Sequence, residues 1–304
     1  MGINSTNQSV WPKLAFEEWK DTLATLHMWT QIVGKIRLVQ SPLVNHWWNV
    51  TFLVTPRGLT TGSIPYLSRS FQIDFDFIEH QLVILTDDGT ERKIALRSQS
   101  VADFYNELMS ELNSLGLAIK IYATPVEIPD PIPFPKDHVH ATYQAEHAET
   151  FWRILLSVDR VFKEFRSRFI GKSSPVHFFW GSFDIAVTRF SGRPAPERPG
   201  ADLITREAYS HEVISHGFWP GGGGVNDAAF YSYAAPEPDG LKSAVIKPQE
   251  AGYDLGMSEF ILMYEDIRTA DDPDGKLMEF LQSTYEAGAN LAGWDRASLE
   301  RKAT

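Results

Sequence analysis

The chain contains no cysteine. That excludes thiol catalysis, disulfide stapling and any thiolate-ligated metal site, and it fits a reducing compartment. Positive charge is scarce as well: 28 Lys and Arg stand against 39 Asp and Glu, for a formal net charge of −11. The basic residues are scattered and usually sit beside acids, so there is no cationic stripe to neutralise phosphates. Nucleic acid is therefore not an expected partner. No uninterrupted run of about 18 apolar residues occurs, and no membrane partner or span is expected. The stretch MGINSTNQSVWPKL lacks the apolar core of a secretory signal. These absences together predict a soluble cytoplasmic protein.

What is present is a large apolar reserve. Hydrophobic residues make up 43% of the 304, with 9 Trp and 19 Phe, enough to bury a sizeable core. Residues 14–38 read as a helix, with Trp19, Leu23, Leu26, Thr30 and Val33 recurring at helical spacing. From 47 to 97 the period falls to two. Trp48, Val50, Phe52 and Val54 alternate with polar residues, as do Phe71, Ile73, Phe75 and Phe77, which is the pattern of half-buried antiparallel strands. Asp88-Gly89 between two such runs predicts a hairpin. A helix near 101–115 is expected to stop at Gly116.

Alternating prolines from Pro125 to Pro135 forbid regular helix and sheet, so 123–139 reads as a stiff linker. Beyond it the order repeats: a helix over 141–170, strands near 176–190, 209–218, 228–234 and 259–265, and a final helix opened by Asp272-Pro273. The expected fold class is α+β, with two similar helix–sheet–helix halves packed together, 1–122 and 140–304. An internal duplication would produce this order, although no residue-level repeat is visible.

Two tempting motifs fail on spacing. His211-Glu212 followed by His216 resembles a helical zinc motif, but that motif places its histidines four apart. Five residues turn a helix through about 500°, which puts the rings on different faces, and an odd spacing on a strand points them to opposite sides. The run Gly221–Gly224 lacks the Lys-Ser/Thr of a nucleotide loop and precedes a strand rather than a helix, so it reads as a connection, with a lid over a pocket as its functional reading. Gly171-Lys172-Ser173 lacks the upstream glycine, residue 166 being Arg166.

The richest segment is PVHFFWGSFDIAVTRFSGRPAP. In one strand register Trp180, Ser182, Asp184, Ala186 and Thr188 share a face, a small polar row with one aromatic that suits a pocket floor. Asp184 among apolar neighbours needs a partner, with His177, His211, Arg189 and Arg193 as the candidates. In the functional reading Asp184 is general base or orienting acid, His177 or His211 its partner, Ser182 and Arg189 ligand contacts, and Trp180 and Trp219 walls around a small polar ligand. The competing reading has Asp184 paired for fold integrity alone. A divalent cation held by His177, Asp184 and His211 or His216 is chemically reasonable, but no spacing demands it, and no metal ligand is assigned. His147 reads as a core histidine, His138 and His140 as solvated. Gln72, Asp74 and Asp76 read as an outer sheet face, and Trp29, Trp47, Trp48 and His46 as packing. The sequence gives no sign of oligomeric state.

The segments PVHFFWGSFDIAVTRFSGRPAP, EAYSHEV followed by GFWPGG, FYSYAAPEP, SEFILMYEDIR and FLQSTYEAGANLAGWDR resemble a bacterial family described only as a domain of unknown function. WWNVTFLVTPRGLTTGSIPY and FQIDFDFIEHQL are similar to it too. The resemblance implies one unit of about 300 residues. It implies no activity, cofactor or catalytic residue. Two functions from different classes follow as expectations: an acid/base enzyme acting on a small polar metabolite, or a non-catalytic module that binds a small molecule or a protein.

Overall fold

The structure, a computed structural model, describes residues 10–222 and 225–302. Helix α1 spans Phe16–Gln40, with Glu17 and Glu18 in its first turn opposing the helix dipole. Trp19, Leu26, Trp29 and Val33 on this helix are fully buried. After a 3-10 turn at Asn45–Trp47 come β1 (Leu53–Thr55), β2 (Gly58–Thr60), β3 (Ile64–Tyr66), β4 (Arg69–Asp76), β5 (Gln81–Thr86) and β6 (Glu91–Ala95). They form one antiparallel sheet in the order β1-β2-β4-β5-β6, with β3 also on β4. The Asp88-Gly89 turn closes the β5–β6 hairpin as its sequence requires, with Gly89 at φ 83°. Helix α2 (Val101–Ser114) starts where the Ser100 hydroxyl accepts from the Asp103 amide, and it ends just before Gly116 at φ 76°.

The second half begins with α3 (Ala145–Ser167). It continues through β7 (His177–Phe179), β8 (Asp184–Pro194), α4 (Leu203–Ala208), β9 (His211–Trp219), β10 (Ala229–Ala235), β11 (Gly252–Asp254) and β12 (Glu259–Met263). Helices α5 (Tyr264–Arg268), α6 (Pro273–Leu291) and α7 (Arg296–Leu299) follow, α6 being capped by Asp272 as expected. The second sheet is also antiparallel and six-stranded, ordered β11-β12-β10-β9-β8-β7. The fold is therefore α+β. The strand orders of its two sheets differ.

One hydrophobic cluster runs through both halves, from Trp29 and Phe104 to Phe165 and Tyr285. Between the sheets, Phe52 and Phe178 exchange backbone hydrogen bonds of 2.8 Å in each direction. The expected strand from Trp48 to Val54 is shortened for this reason. His46 and Trp47 take left-handed φ values of 57° and 62°, and residues 48–52 dock on β7 before β1 begins. The proline-rich segment is pinned rather than loose. Phe134 is fully buried and stacks on Tyr105 at 6.1 Å. Gln31 on α1 also bonds both the carbonyl and the amide of Val126, each at 2.8 Å. Among the described residues no helix is long and apolar enough to cross a membrane.

A pinned segment makes a simple prediction. Phe134→Ala should cost about 3–5 kcal/mol in urea unfolding, as for any fully buried Phe. A cost below about 0.5 kcal/mol, the usual range for an exposed position, would mean that 123–139 is a free linker.

Candidate functional site

Pairing along the second sheet sorts its side chains onto two faces. Ile185, Val187 and Arg189 on β8, with Ile214 and His216 on β9, lie toward α3 and α6. The other row carries Asp184, Ala186 and Thr188, then Ser215 and Gly217, then Tyr231 and Tyr233 on β10. This row floors a cavity of about 320 Å³. The 46–50 segment and Trp180 wall it, and Val126 and Glu127 from the proline-rich segment also line it, together with Ile204, Ala208 and Tyr209 in and beside α4. The cavity therefore lies where the first half meets the second sheet.

Asp184 is 6% exposed at the cavity floor. Its Oδ1 accepts from the Ser182 hydroxyl at 2.6 Å, and its Oδ2 accepts from the phenol of Tyr231. Burial raises its carboxyl above the usual range, although both hydrogen bonds oppose the shift. Burial and the neighbouring carboxylate likewise push the Tyr231 phenol well up. Tyr231 reaches Asp184 because residue 217 is glycine. A Cβ there would stand 2.2 Å from the Tyr231 ring and hydroxyl. Tyr233 stacks alongside at 6.1 Å, and its hydroxyl lies 2.9 Å from that of Tyr209. Thr188 and Ser215 join across the strands at 2.9 Å.

Two further carboxyls feel Asp184. Glu127 stands exposed at the mouth with φ 57°. Its carboxyl is raised first by partial burial and then by Asp184, and its Oε1 lies 2.5 Å from where a Cβ on Gly181 would be. Glu259, on β12, is pushed up to about 7 by burial and then by Asp184 and Asp254. In the 46–50 segment of the wall, His46 Nδ1 lies 3.0 Å from the Glu207 carbonyl, so this nitrogen carries the proton, and Nε2 accepts from Lys172 at 2.6 Å. Trp180 is fixed by its indole N–H, which donates to the Val50 carbonyl at 2.7 Å.

Of the residues singled out in the sequence, Asp184, Ser182 and Trp180 line the cavity. The partners expected for Asp184 are elsewhere. His177 is directed at Thr51 Oγ1, 3.1 Å from its Nδ1, and burial lowers it to about 3, aided by Arg37 and Arg166. Arg189 lies on the opposite face, where it donates to the Phe165 carbonyl with its guanidinium 3.5 Å from that ring's centroid. Arg193 pairs with Glu212 at 2.6 Å at the surface. His211 pairs in register with Pro194, at the far end of β8 from Asp184 and roughly 30 Å of strand away. Trp219 stands edge-on to Tyr231 at 5.6 Å but does not line the cavity. His216 lies beneath the sheet, 3.1 Å from Thr284 on α6. Among the described residues no three His, Asp or Glu side chains are grouped to hold a metal ion, so the His177–Asp184–His211/His216 donor set does not assemble.

Gly221 and Gly222 pack near Phe16 rather than over the cavity, while Gly223 and Gly224 lie outside the described residues. Tyr231, Tyr233, Ser215, Glu127, His46, Trp47 and Trp48 also line the cavity without having been expected as site residues. The alternation in FYSYAA was a usable signal for the tyrosines. A lone acid in the apolar run PVEIP was one for Glu127.

Fold and site together define an α+β protein with an acidic, aromatic-walled cavity at the join of its two halves. The chain belongs to the family of unknown function DUF5996, whose model matches residues 11–301. No curated protein and no solved structure matches it.

Two outcomes follow from this geometry. Gly217→Ala should destabilise by about 1–3 kcal/mol through overpacking against Tyr231. In a Tyr231→Ala background the same change should cost almost nothing, and equal costs in both backgrounds would contradict the contact. Glu259 carries a raised carboxyl, so its favourable contribution is present below pH 4.5 and is lost as pH rises through about 7. Relative to wild type, Glu259→Gln should therefore gain stability from about pH 5 to about pH 8 in urea unfolding. A difference independent of pH would contradict this.

Proposed function

We propose that the cavity is an acid/base site for a small polar metabolite, with Asp184 as the group that holds or moves the proton. The observation that carries this reading is a buried carboxyl at the floor of an aromatic-walled cavity, held by the hydroxyls of Ser182 and Tyr231. A raised carboxyl is suited to donating a proton near neutral pH and to taking one back. Tyr231 fixes the carboxyl's orientation and supplies a hydrogen bond that strengthens as charge develops on it. Aromatic walls exclude water and orient a ligand body, leaving Asp184 to act in a low-dielectric space. Strain adds support: of the eight non-glycine residues with positive φ among the described residues, His46, Trp47 and Glu127 line the cavity and Phe183 directly precedes Asp184.

A second reading uses the same cavity without chemistry. Both Asp184 oxygens already accept hydrogen bonds, an arrangement that equally suits a group that only orients a bound small molecule.

Incubation with fractionated metabolite extracts, followed by mass spectrometry, tests the choice. Wild-type protein should consume a small polar metabolite. Asp184→Asn, still folded by circular dichroism, should lower that rate by roughly 10²–10⁴. An undiminished rate in Asp184→Asn would contradict the assignment, and retention of an unchanged metabolite would establish the binding module instead.

A further inference from the structure

We infer that the ligand presents a protonated primary or secondary amine to Glu127 and Asp184, on an apolar or aromatic body that fills the rest of the cavity. This rests on the reading of the cavity as a small-molecule site.

The charge of the lining is one-sided. Glu127 and Asp184 line the cavity, and among the described residues no Lys or Arg does. Two lysines beside the lining have other engagements. Lys172 stands against the rings of Trp48 and Phe190, 5.7 and 4.9 Å from their centroids, and donates to His46. Lys35 stands against Tyr122 and Trp180, at 5.3 and 5.9 Å. An anionic ligand such as a phosphate ester or a carboxylate would thus enter a space walled by negative groups and low-dielectric rings, with no counter-charge to meet it.

Glu127 is the informative residue. Among the described residues its carboxylate accepts no hydrogen bond and meets no basic side chain, unlike Asp184, whose two oxygens are held from within the fold. Its backbone is in the left-handed region, and Gly181 leaves the space that its carboxylate occupies. A carboxylate brought close to another carboxylate raises the energy of both unless a cation or a proton comes between them. Among the described residues no basic side chain pairs with Glu127 or with Asp184. An ammonium group supplies the cation, donating N–H bonds to Glu127 and to the remaining lone pairs of Asp184. Rings such as Trp47, Tyr209, Tyr231 and Tyr233 would receive the body of the ligand and add attraction through their faces. The cavity, about 320 Å³, sits at the small end of ligand pockets.

Three probes of matched shape separate the alternatives: 2-phenylethylamine, 2-phenylethanol and phenylacetate, titrated calorimetrically into the whole protein at neutral pH. The amine should bind at least about tenfold more tightly than the alcohol, equivalent to about 1.4 kcal/mol, and phenylacetate more weakly than either. Glu127→Gln should bring the amine down to the affinity of the alcohol and leave the alcohol unchanged. Because the Glu127 carboxyl is raised and, among the described residues, accepts no hydrogen bond, this variant should stay folded and unfold no lower than wild type. Equal affinity of amine and alcohol for wild type, or tightest binding by phenylacetate, would overturn the amine assignment while leaving the cavity a ligand site. An amine affinity unchanged in Glu127→Gln would also overturn it. Failure of all three probes to bind would overturn both the amine assignment and the ligand-site reading beneath it.

Discussion

The docking of residues 46–52 onto β7 organises this molecule. Two backbone hydrogen bonds between Phe52 and Phe178 fix the crossing, and side chains on either side lock it: Thr51 against His177, Trp180 against the Val50 carbonyl. Each of these contacts satisfies a buried polar group that would otherwise cost free energy. The crossing carries His46, Trp47 and Trp48 over the polar face of the second sheet, and that placement closes the cavity. Without it, Asp184, Thr188 and Ser215 would sit on an open sheet face exposed to water.

Within the cavity, space and charge are coupled. A buried carboxyl is unfavourable, and the fold meets this with two hydroxyl donors rather than with a cation. One of those donors reaches Asp184 only because Gly217 leaves room for the ring of Tyr231. The absence of a basic partner leaves Asp184 raised and leaves Glu127 and Glu259 to share its field. The basic and imidazole groups near Asp184 in the sequence serve structure instead: Arg189 sits among the rings of Phe165, Phe169 and Tyr285, and His177 stays neutral in its buried setting.

Local patterns in the sequence were enough to locate most elements. Caps at Ser100 and Asp272, the Asp88-Gly89 turn and the period-two run of β4 are encoded within a few residues, so they were legible. The face shared by Trp180, Ser182 and Asp184 was legible for the same reason. The partners of Asp184 were not, because cross-strand register is a long-range property. His177 falls opposite Ala186 rather than Asp184, and His211 falls opposite Pro194. The run from Trp48 to Phe52 has a strand's alternation, yet tertiary contacts to β7 determine its path. Glu127 was marked only as a lone acid in an apolar run, because prolines mark irregular backbone without revealing whether that backbone is packed.

The account turns on Asp184 being a carboxyl withdrawn from bulk water at the floor of a cavity and held there by Tyr231. Carbon-13 nuclear magnetic resonance of the Asp184 carboxyl against pH measures this directly, in wild type and in Tyr231→Phe. The account predicts a wild-type midpoint above the ordinary carboxylate range and a still higher one once the phenol's hydrogen bond is removed. A midpoint near that of a free aspartate, unmoved in Tyr231→Phe, would contradict it.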